Sequence, residues 1–150
     1  MVDKKEKILS CIWVKDLLGE PGIAKLGTAN PITWQPHVTP VWFLWDGKNL
    51  LISAFISTRK VKDIQQNSWI SVLVDNHTPG VPARAVLMEG KALLVSDSTT
   101  VQQLSTEIYK KYLGESGIKD KDPASWIIDP ENRIVKLVPE KIFAWGQPVE

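Results

Sequence analysis

The sequence predicts a mainly β fold with peripheral helices: a barrel of six to seven mostly antiparallel strands. Three observations predict it. Short apolar or alternating runs recur with turn residues between them, at 23–29, 35–45, 49–55, 69–74, 84–95, 133–137 and 142–145. Several are joined by connections too short to hold a crossover helix, the sharpest being Asp46-Gly47 between two apolar runs. Only one strand pair carries a crossover helix and no glycine-rich dinucleotide loop appears, which disfavours a doubly wound parallel sheet. A chain of 150 residues reads as a single domain, 1–150, able to bury roughly two thirds of its unfolded surface.

Taken in order, residues 5–18 read as a helix with Ile8, Ile12 or Cys11, and Leu18 on its inner side and Gly19 as its stop. Pro21-Gly22 turns the chain into the first strand, 23–29, and Asn30-Pro31-Ile32-Thr33 turns it into the second, 35–45. Pro40 removes a ladder donor from that second strand, so an edge or a bulge is expected there. The hairpin at Asp46-Gly47 leads to the third strand, 49–55. A helix over 58–66 follows, capped by Ser57 or Thr58, with Val61 and Ile64 facing inward. The nearly continuous apolar run 69–74 reads as a strand buried on both faces. After a loop at 76–82 comes a long fifth strand, 84–95, where Gly90 marks a bulge or a close backbone approach. Arg84 and Glu89 on this strand are expected to pair with neighbours. Ser98 and Thr99 cap a helix to about residue 113 that carries Val101, Leu104, Ile108 and Tyr112. Residues 114–130 read as irregular with a helical turn near 123–127, before the strands 133–137 and 142–145.

Composition narrows the function classes. A net charge of +1 leaves no global field to steer a polyanion, so any anion site is local and nucleic acid is not an expected partner. Cys11 is the sole cysteine, and His37 and His77 are the only histidines, without ligand-spaced partners; no protein-built metal site is expected. The N-terminal segment is too short and too charged for a signal peptide, and no apolar run approaches a membrane span, so a soluble cytoplasmic protein is expected. Seven tryptophans are expected in core and interface packing. No serine–histidine–acid or paired-carboxylate arrangement is recognisable, and His37 reads as a surface strand residue. Any difficult chemistry is left to a cofactor.

Thr58-Arg59-Lys60-Val61-Lys62 places three cations in the first turn of a helix, where the macrodipole is already positive. Either the side chains splay into water, or a bound dianion offsets the conflict. In the second case Arg59 grips phosphate oxygens as a fork, Lys60 acts as a point charge and Thr58 donates its hydroxyl. The aromatic strand Pro36-His37-Val38-Thr39-Pro40-Val41-Trp42-Phe43 offers a wall for a flat ring. The combination suggests a phosphorylated planar cofactor.

With Ile23-Ala24-Lys25-Leu26-Gly27-Thr28, Asp46-Gly47, Ile70-Ser71-Val72-Leu73-Val74-Asp75 and Glu89-Gly90-Lys91-Ala92, those two motifs resemble the pyridoxamine 5′-phosphate oxidase-related family of FMN-binding split β-barrel flavoproteins. The resemblance runs from about residue 17 to Trp145-Gly146. It implies a homodimer with FMN at the subunit interface. Val38, Thr39, Pro40 and Val41 would line the flavin ring, and Ser53 and Ala54 would lie by the ribityl chain and phosphate. Thr58, Arg59 and Lys60 match the family's phosphate-binding run, and Trp145 would approach from the partner chain. In two places the chain departs from the family's oxidase: Ala85 stands where a ring-contacting glutamine is found, and the sequence ends at Gly146-Gln147-Pro148-Val149-Glu150 without a substrate-holding arginine. Pyridoxamine phosphate oxidation is therefore not expected. The resemblance implies a flavin oxidoreductase transferring hydride to or from a small molecule. The alternatives are a deazaflavin-dependent reductase of the same fold and a non-catalytic flavin- or haem-binding stress protein. No catalytic side chain is assigned.

Overall fold

The structure, a computed structural model, describes residues 3–149; Met1, Val2 and Glu150, at the ends of the expected single domain, lie outside the described residues. The seven expected strands are all present, the second interrupted, so the sheet has eight segments. These are β1 (Ala24–Ala29), β2 (Pro36–Val41), β3 (Leu44–Trp45), β4 (Leu50–Phe55), β5 (Trp69–Asn76), β6 (Arg84–Val95), β7 (Asn132–Leu137) and β8 (Lys141–Trp145). All described pairings are antiparallel, and the sheet curls into a half-barrel in the order β2-β1-β5-β6-β7-β4-β3, with β8 beside β6. Five helices lie at its periphery: α1 (Lys4–Ser10), α2 (Ile12–Gly19), α3 (Arg59–Gln66), α4 (Ser98–Gly117) and α5 (Lys121–Ile128).

β6 is where the sheet forks. Its residues 85–89 lie opposite β8, whereas 92–95 lie opposite β7. Gly90 sits at the fork, and a Cβ there would stand 2.8 Å from the Val138 carbonyl oxygen. The close approach expected of Gly90 is real: the β7–β8 connection passes directly over its backbone.

The strands bury residues on two sides. Inside the curl Leu26, Ile52, Val72, Val86 and Met88 pack with Phe43 from the β2–β3 connection and with Val61 and Ile64 of α3. Each such side chain, fully withdrawn from water, contributes about 1.5–3 kcal/mol. Behind β4 and β7, Leu51 and Ile134 pack against Val101, Ile108 and Tyr109 of α4.

Several local expectations are corrected. The first helix is two, broken at Cys11 in an extended conformation (φ −64°, ψ 133°). The break lets Ile8, Cys11, Val14, Leu17 and Leu18 all reach the core, while Ile12 is left exposed. The second strand stops at Val41 and resumes at Leu44, because the chain leaves β1 there to join β4. The Phe43 amide instead donates to the Tyr112 hydroxyl at 3.1 Å, and its carbonyl accepts from Lys111 Nζ at 3.1 Å. β5 is buried on one face only: Ile70, Val72 and Val74 point inward, while Trp69, Ser71, Leu73 and Asp75 are exposed or half-exposed. β4 and β7 are the strands buried on both faces among those described, since α4 packs on their outer side.

Helix ends differ as well. Asp97, not Ser98 or Thr99, caps α4, its carboxylate accepting from the Thr100 amide at 3.0 Å. The helix runs past residue 113 to Gly117 with a break at Gly114 (φ 75°), and α5 replaces much of the expected irregular stretch. Thr58 occupies the α3 N-cap, but its hydroxyl donates to the Phe55 carbonyl at 2.7 Å and does not accept from the helix. Pro40 does lie on an edge strand, opposite Lys25. Arg84 pairs with Glu20 at 2.9 Å, joining the end of α2 to β6. Glu89 has no ion pair among the described residues and lies on the outer face of the sheet.

That outer face is bare. Reading across β2, β1, β5, β6 and β8, one row is Val38, Gly27, Ser71, Glu89, Lys141 and the next is Pro40, Lys25, Leu73, Leu87, Phe143. Val38 is 64%, Trp69 51% and Trp145 51% exposed. None of the seven tryptophans is fully buried: Trp13, Trp42 and Trp45 are partly buried and pack against the core, as expected, whereas Trp34, Trp69, Trp126 and Trp145 are exposed.

Candidate functional site

β4 leads directly into the start of α3, and the end of β2 faces β4; the site is assembled from these three pieces. A cleft of about 550 Å³ opens there, lined by Ile23, Pro40, Val41, Trp42, Ser53, Phe55, Tyr109 and Trp126. Its volume lies within the range of small-molecule sites. Its walls are aromatic. Trp42 stacks on Tyr112 (centroids 4.7 Å apart, planes at 5°) and meets Tyr109 edge-on at 5.9 Å; Tyr109 meets Trp126 edge-on at 6.1 Å.

The polar groups behind the cleft form one network. Ser53 Oγ donates to Asn132 Oδ1 at 2.8 Å, which leaves Tyr109 as the donor in its 3.1 Å contact with Ser53. Asn132 Nδ2 donates to Ser105 Oγ at 2.9 Å, and Ser105 donates to Ser53 at 3.4 Å. The Ser53 hydroxyl thus has its proton and both lone pairs engaged. Burial pushes the Tyr109 hydroxyl above its ordinary pKa, against the opposing effect of its bond to Ser53.

At the α3 N-terminus no acidic residue occupies the first turn. Arg59 is half-exposed, with Nε 3.8 Å from the carboxylate of buried Asp63. Lys60 is half-buried and has no carboxylate partner among the described residues. Burial holds its ammonium below the usual lysine range. The Ser57 hydroxyl is occupied by Glu131, at 2.8 Å. Phe55 links the two halves of the site, lining the cleft and accepting the Thr58 hydroxyl.

Of the ten residues expected to bind a cofactor, Pro40, Val41 and Ser53 line the cleft, and Thr58, Arg59 and Lys60 stand at the adjoining helix start. Thr39 points to the same side of β2 as Val41, and its buried hydroxyl oxygen has no hydrogen-bond partner among the described residues. Val38 lies on the exposed outer face. Ala54 points away from Ser53 into the main core, so only its backbone is available to a ligand. Trp145 is on β8, separated from β2 by β1, β5 and β6, about 19 Å across four strand spacings. One chain does not bring it to the cleft.

The sequence reading included Trp42 in its aromatic wall, without singling it out, and missed Phe55, Tyr109, Trp126 and Asp63. Trp42 and Phe55 lay inside expected strands and Tyr109 inside an expected helix. Their common destination is set by α4 and α5 folding over β4, a long-range event without a local signal. Among the described residues no group of three or more His, Cys, Asp or Glu is placed to hold a metal ion, and no helix is long and apolar enough to cross a membrane.

The family model described as pyridoxamine 5′-phosphate oxidase matches residues 13–146. Among solved structures, the protein Rv2991 from Mycobacterium tuberculosis is similar with a TM-score of 0.76 at 18% identity, over 97% of this chain and 86% of that one. The flavocytochrome Anf3 from Azotobacter vinelandii has a TM-score of 0.73 at 16% identity, covering 98% of this chain and 72% of its own. An F420 reductase has a TM-score of 0.69 at 24% identity, with 86% and 94% covered. At these identities the likeness is one of fold. No protein of curated function matches the sequence.

Proposed function

Because this chain belongs to the pyridoxamine 5′-phosphate oxidase family, we propose that it is an FMN-binding flavoprotein and an oxidoreductase acting on a small molecule. The observation that carries this reading is the adjacency of two features. An aromatic cleft of about 550 Å³ adjoins a helix start bearing Thr58, Arg59 and Lys60 with no acidic residue in its first turn.

The residues present fit a phosphorylated flavin. The Thr39 hydroxyl oxygen is buried without a partner among the described residues, a cost of roughly 1–3 kcal/mol unless a ligand group meets it. Lys60 is half-buried without a carboxylate partner among the described residues, at a helix end that favours anions. Arg59 and Lys60 would hold the phosphate, and Pro40, Val41 and Trp42 would lie beside the ring. When bound, FMN supplies hydride acceptance and donation at its N5. The chain's own part is to anchor the phosphate and to exclude water with Trp42, Tyr109 and Trp126. Because the Ser53 hydroxyl is already saturated, its role is to hold Tyr109 in place. Pyridoxamine phosphate oxidation remains outside this reading: Ala85 brings only a methyl group, directly opposite Trp145 on the outer face.

The bare outer face supports a homodimer in the same reading. Val38, Pro40, Leu73, Leu87 and Phe143 form an apolar surface of exposed and half-exposed side chains, with α1 beside Phe143 at one end. A second copy docked there would bring its own Trp145 toward the first copy's β2.

An absorbance scan of purified protein, before and after adding FMN and removing the excess, tests the cofactor. Retained bands at about 370 and 450 nm, lost in Arg59→Ala/Lys60→Ala, are expected from a phosphate anchored by charge-assisted bonds. Protein that retains no FMN contradicts the reading. Retention of a deazaflavin in its place would favour the alternative suggested by the fold of the F420 reductase.

A further inference from the structure

Asp63 is a carboxylate where the fold has no need of one. It is 3% exposed, on the inner side of α3 between Val61 and Ile64 of the apolar core. A neutral residue at that place would avoid the desolvation of a buried charge. Its sequence position relative to Arg59 is also the weaker one for a helical pair, with the cation nearer the N-terminus. Local choices that cost stability gather at functional sites.

Two contacts define what Asp63 does. Thr28 of β1, itself buried, donates its hydroxyl to Asp63 Oδ2 at 3.1 Å. That same oxygen stands 3.8 Å from Nε of Arg59. The buried threonine fixes the carboxylate and the carboxylate faces the inner edge of the guanidinium. At 3.8 Å this is an ion pair, not a hydrogen bond; drawn to Asp63 at Nε, the guanidinium has its two terminal NH₂ groups, the pair that forms a fork with a phosphate, without a carboxylate partner among the described residues. The half-exposed side chain of Arg59 leaves those groups access to solvent.

We propose that Asp63, held by Thr28, is a positioning residue that orients Arg59 toward the ligand's phosphate. The inference rests on the reading of the α3 start as a phosphate site. Asp63 does not touch the ligand. It removes the rotational freedom of a long side chain before binding, so less is lost when the phosphate arrives.

The test compares flavins with and without phosphate. Asp63→Asn keeps the size and the acceptor for Thr28 but removes the charge. It is expected to weaken FMN binding about tenfold, the scale of one mis-set hydrogen bond to an anion. Riboflavin binding should change by less than about twofold, and in an Arg59→Ala background Asp63→Asn should have no further effect. Thr28→Val, which leaves the carboxylate in place but unfixed, should give a smaller loss in the same direction and keeps the test alive if Asp63→Asn folds poorly. An equal loss for FMN and riboflavin, or the same tenfold loss without Arg59, overturns the proposal. An NMR readout on apo protein needs no flavin. The Arg59 Nε–Hε signal should exchange faster with water in Asp63→Asn, and inorganic pyrophosphate should shift it at about tenfold higher concentration than in wild type. A wild-type signal that pyrophosphate does not move, or one unchanged by Asp63→Asn, overturns the role of Asp63. Wild-type protein that binds neither flavin while pyrophosphate still moves Arg59 contradicts the cofactor and leaves the positioning role standing.

Discussion

Lys111 makes a testable case at the scale of one residue. Its ammonium donates to the carbonyls of Leu18 at 3.0 Å and Phe43 at 3.1 Å, and lies 3.6 Å above the Phe43 ring. Leu18 belongs to the last turn of α2, so the cation meets the negative end of that helix. Burial nevertheless lowers its pKa to about 8 from 10.5. Between those values the unfolded chain binds more protons than the folded one, so the contribution of this group to stability rises with pH from 8 to 10.5 and is flat outside. Half-exposed, it is screened, and the gain is about 1 kcal/mol. Urea unfolding of wild type and Lys111→Met across that window should show the difference in stability moving in favour of wild type; a flat or falling difference refutes it. Gly90 offers a second case. A Cβ 2.8 Å from the Val138 carbonyl oxygen forces the fork of the sheet apart, so Gly90→Ala should cost about 2 kcal/mol in the same assay.

At the scale of elements, α4 determines where the second strand breaks. The Tyr112 hydroxyl accepts from the Phe43 amide at 3.1 Å and donates to the Gly22 carbonyl at 2.7 Å, while its ring stacks on Trp42. One side chain thus substitutes for the ladder that β2 loses on leaving β1. Tyr112→Phe retains the stack and strips both hydrogen bonds, so about 1–3 kcal/mol of stability should be lost. Near-ultraviolet circular dichroism should keep the Trp42 signal. Unchanged stability would mean that water replaces the hydroxyl at no cost.

At the scale of the molecule, the half-barrel leaves the outer side of β2, β1, β5, β6 and β8 open, while α4 and α5 pack over the outer side of β4 and β7. Stable interfaces between copies bury apolar rows of this kind. Leu73 lies in the middle of the bare face, between Lys25 and Leu87. Light scattering should find wild type as a dimer and Leu73→Asp as a folded monomer with impaired FMN retention, since Trp145 and β2 of one chain lie four strand spacings apart, about 19 Å measured along the sheet. A monomeric wild type that retains FMN would separate the cofactor from the dimer.

What local chemistry decides was readable from residues near one another in the chain. The Asp46-Gly47 hairpin, the edge placement of Pro40, the inward Val61 and Ile64 and the close approach at Gly90 all follow from turn geometry, a missing donor or helical period. The helix start at Thr58-Arg59-Lys60 was legible for the same reason, the run being contiguous. The Cys11 break, the gap at Phe43, the cap at Asp97 and the true extent of α4 and α5 were not, because each depends on a partner far along the chain or on competition between adjacent hydroxyl and carboxylate caps. The aromatic cleft and the Thr28–Asp63–Arg59 chain belong wholly to tertiary structure. Side chains 35 residues apart meet only after β1 and α3 have packed, and packing is decided by the apolar surface both bury, which no local pattern encodes.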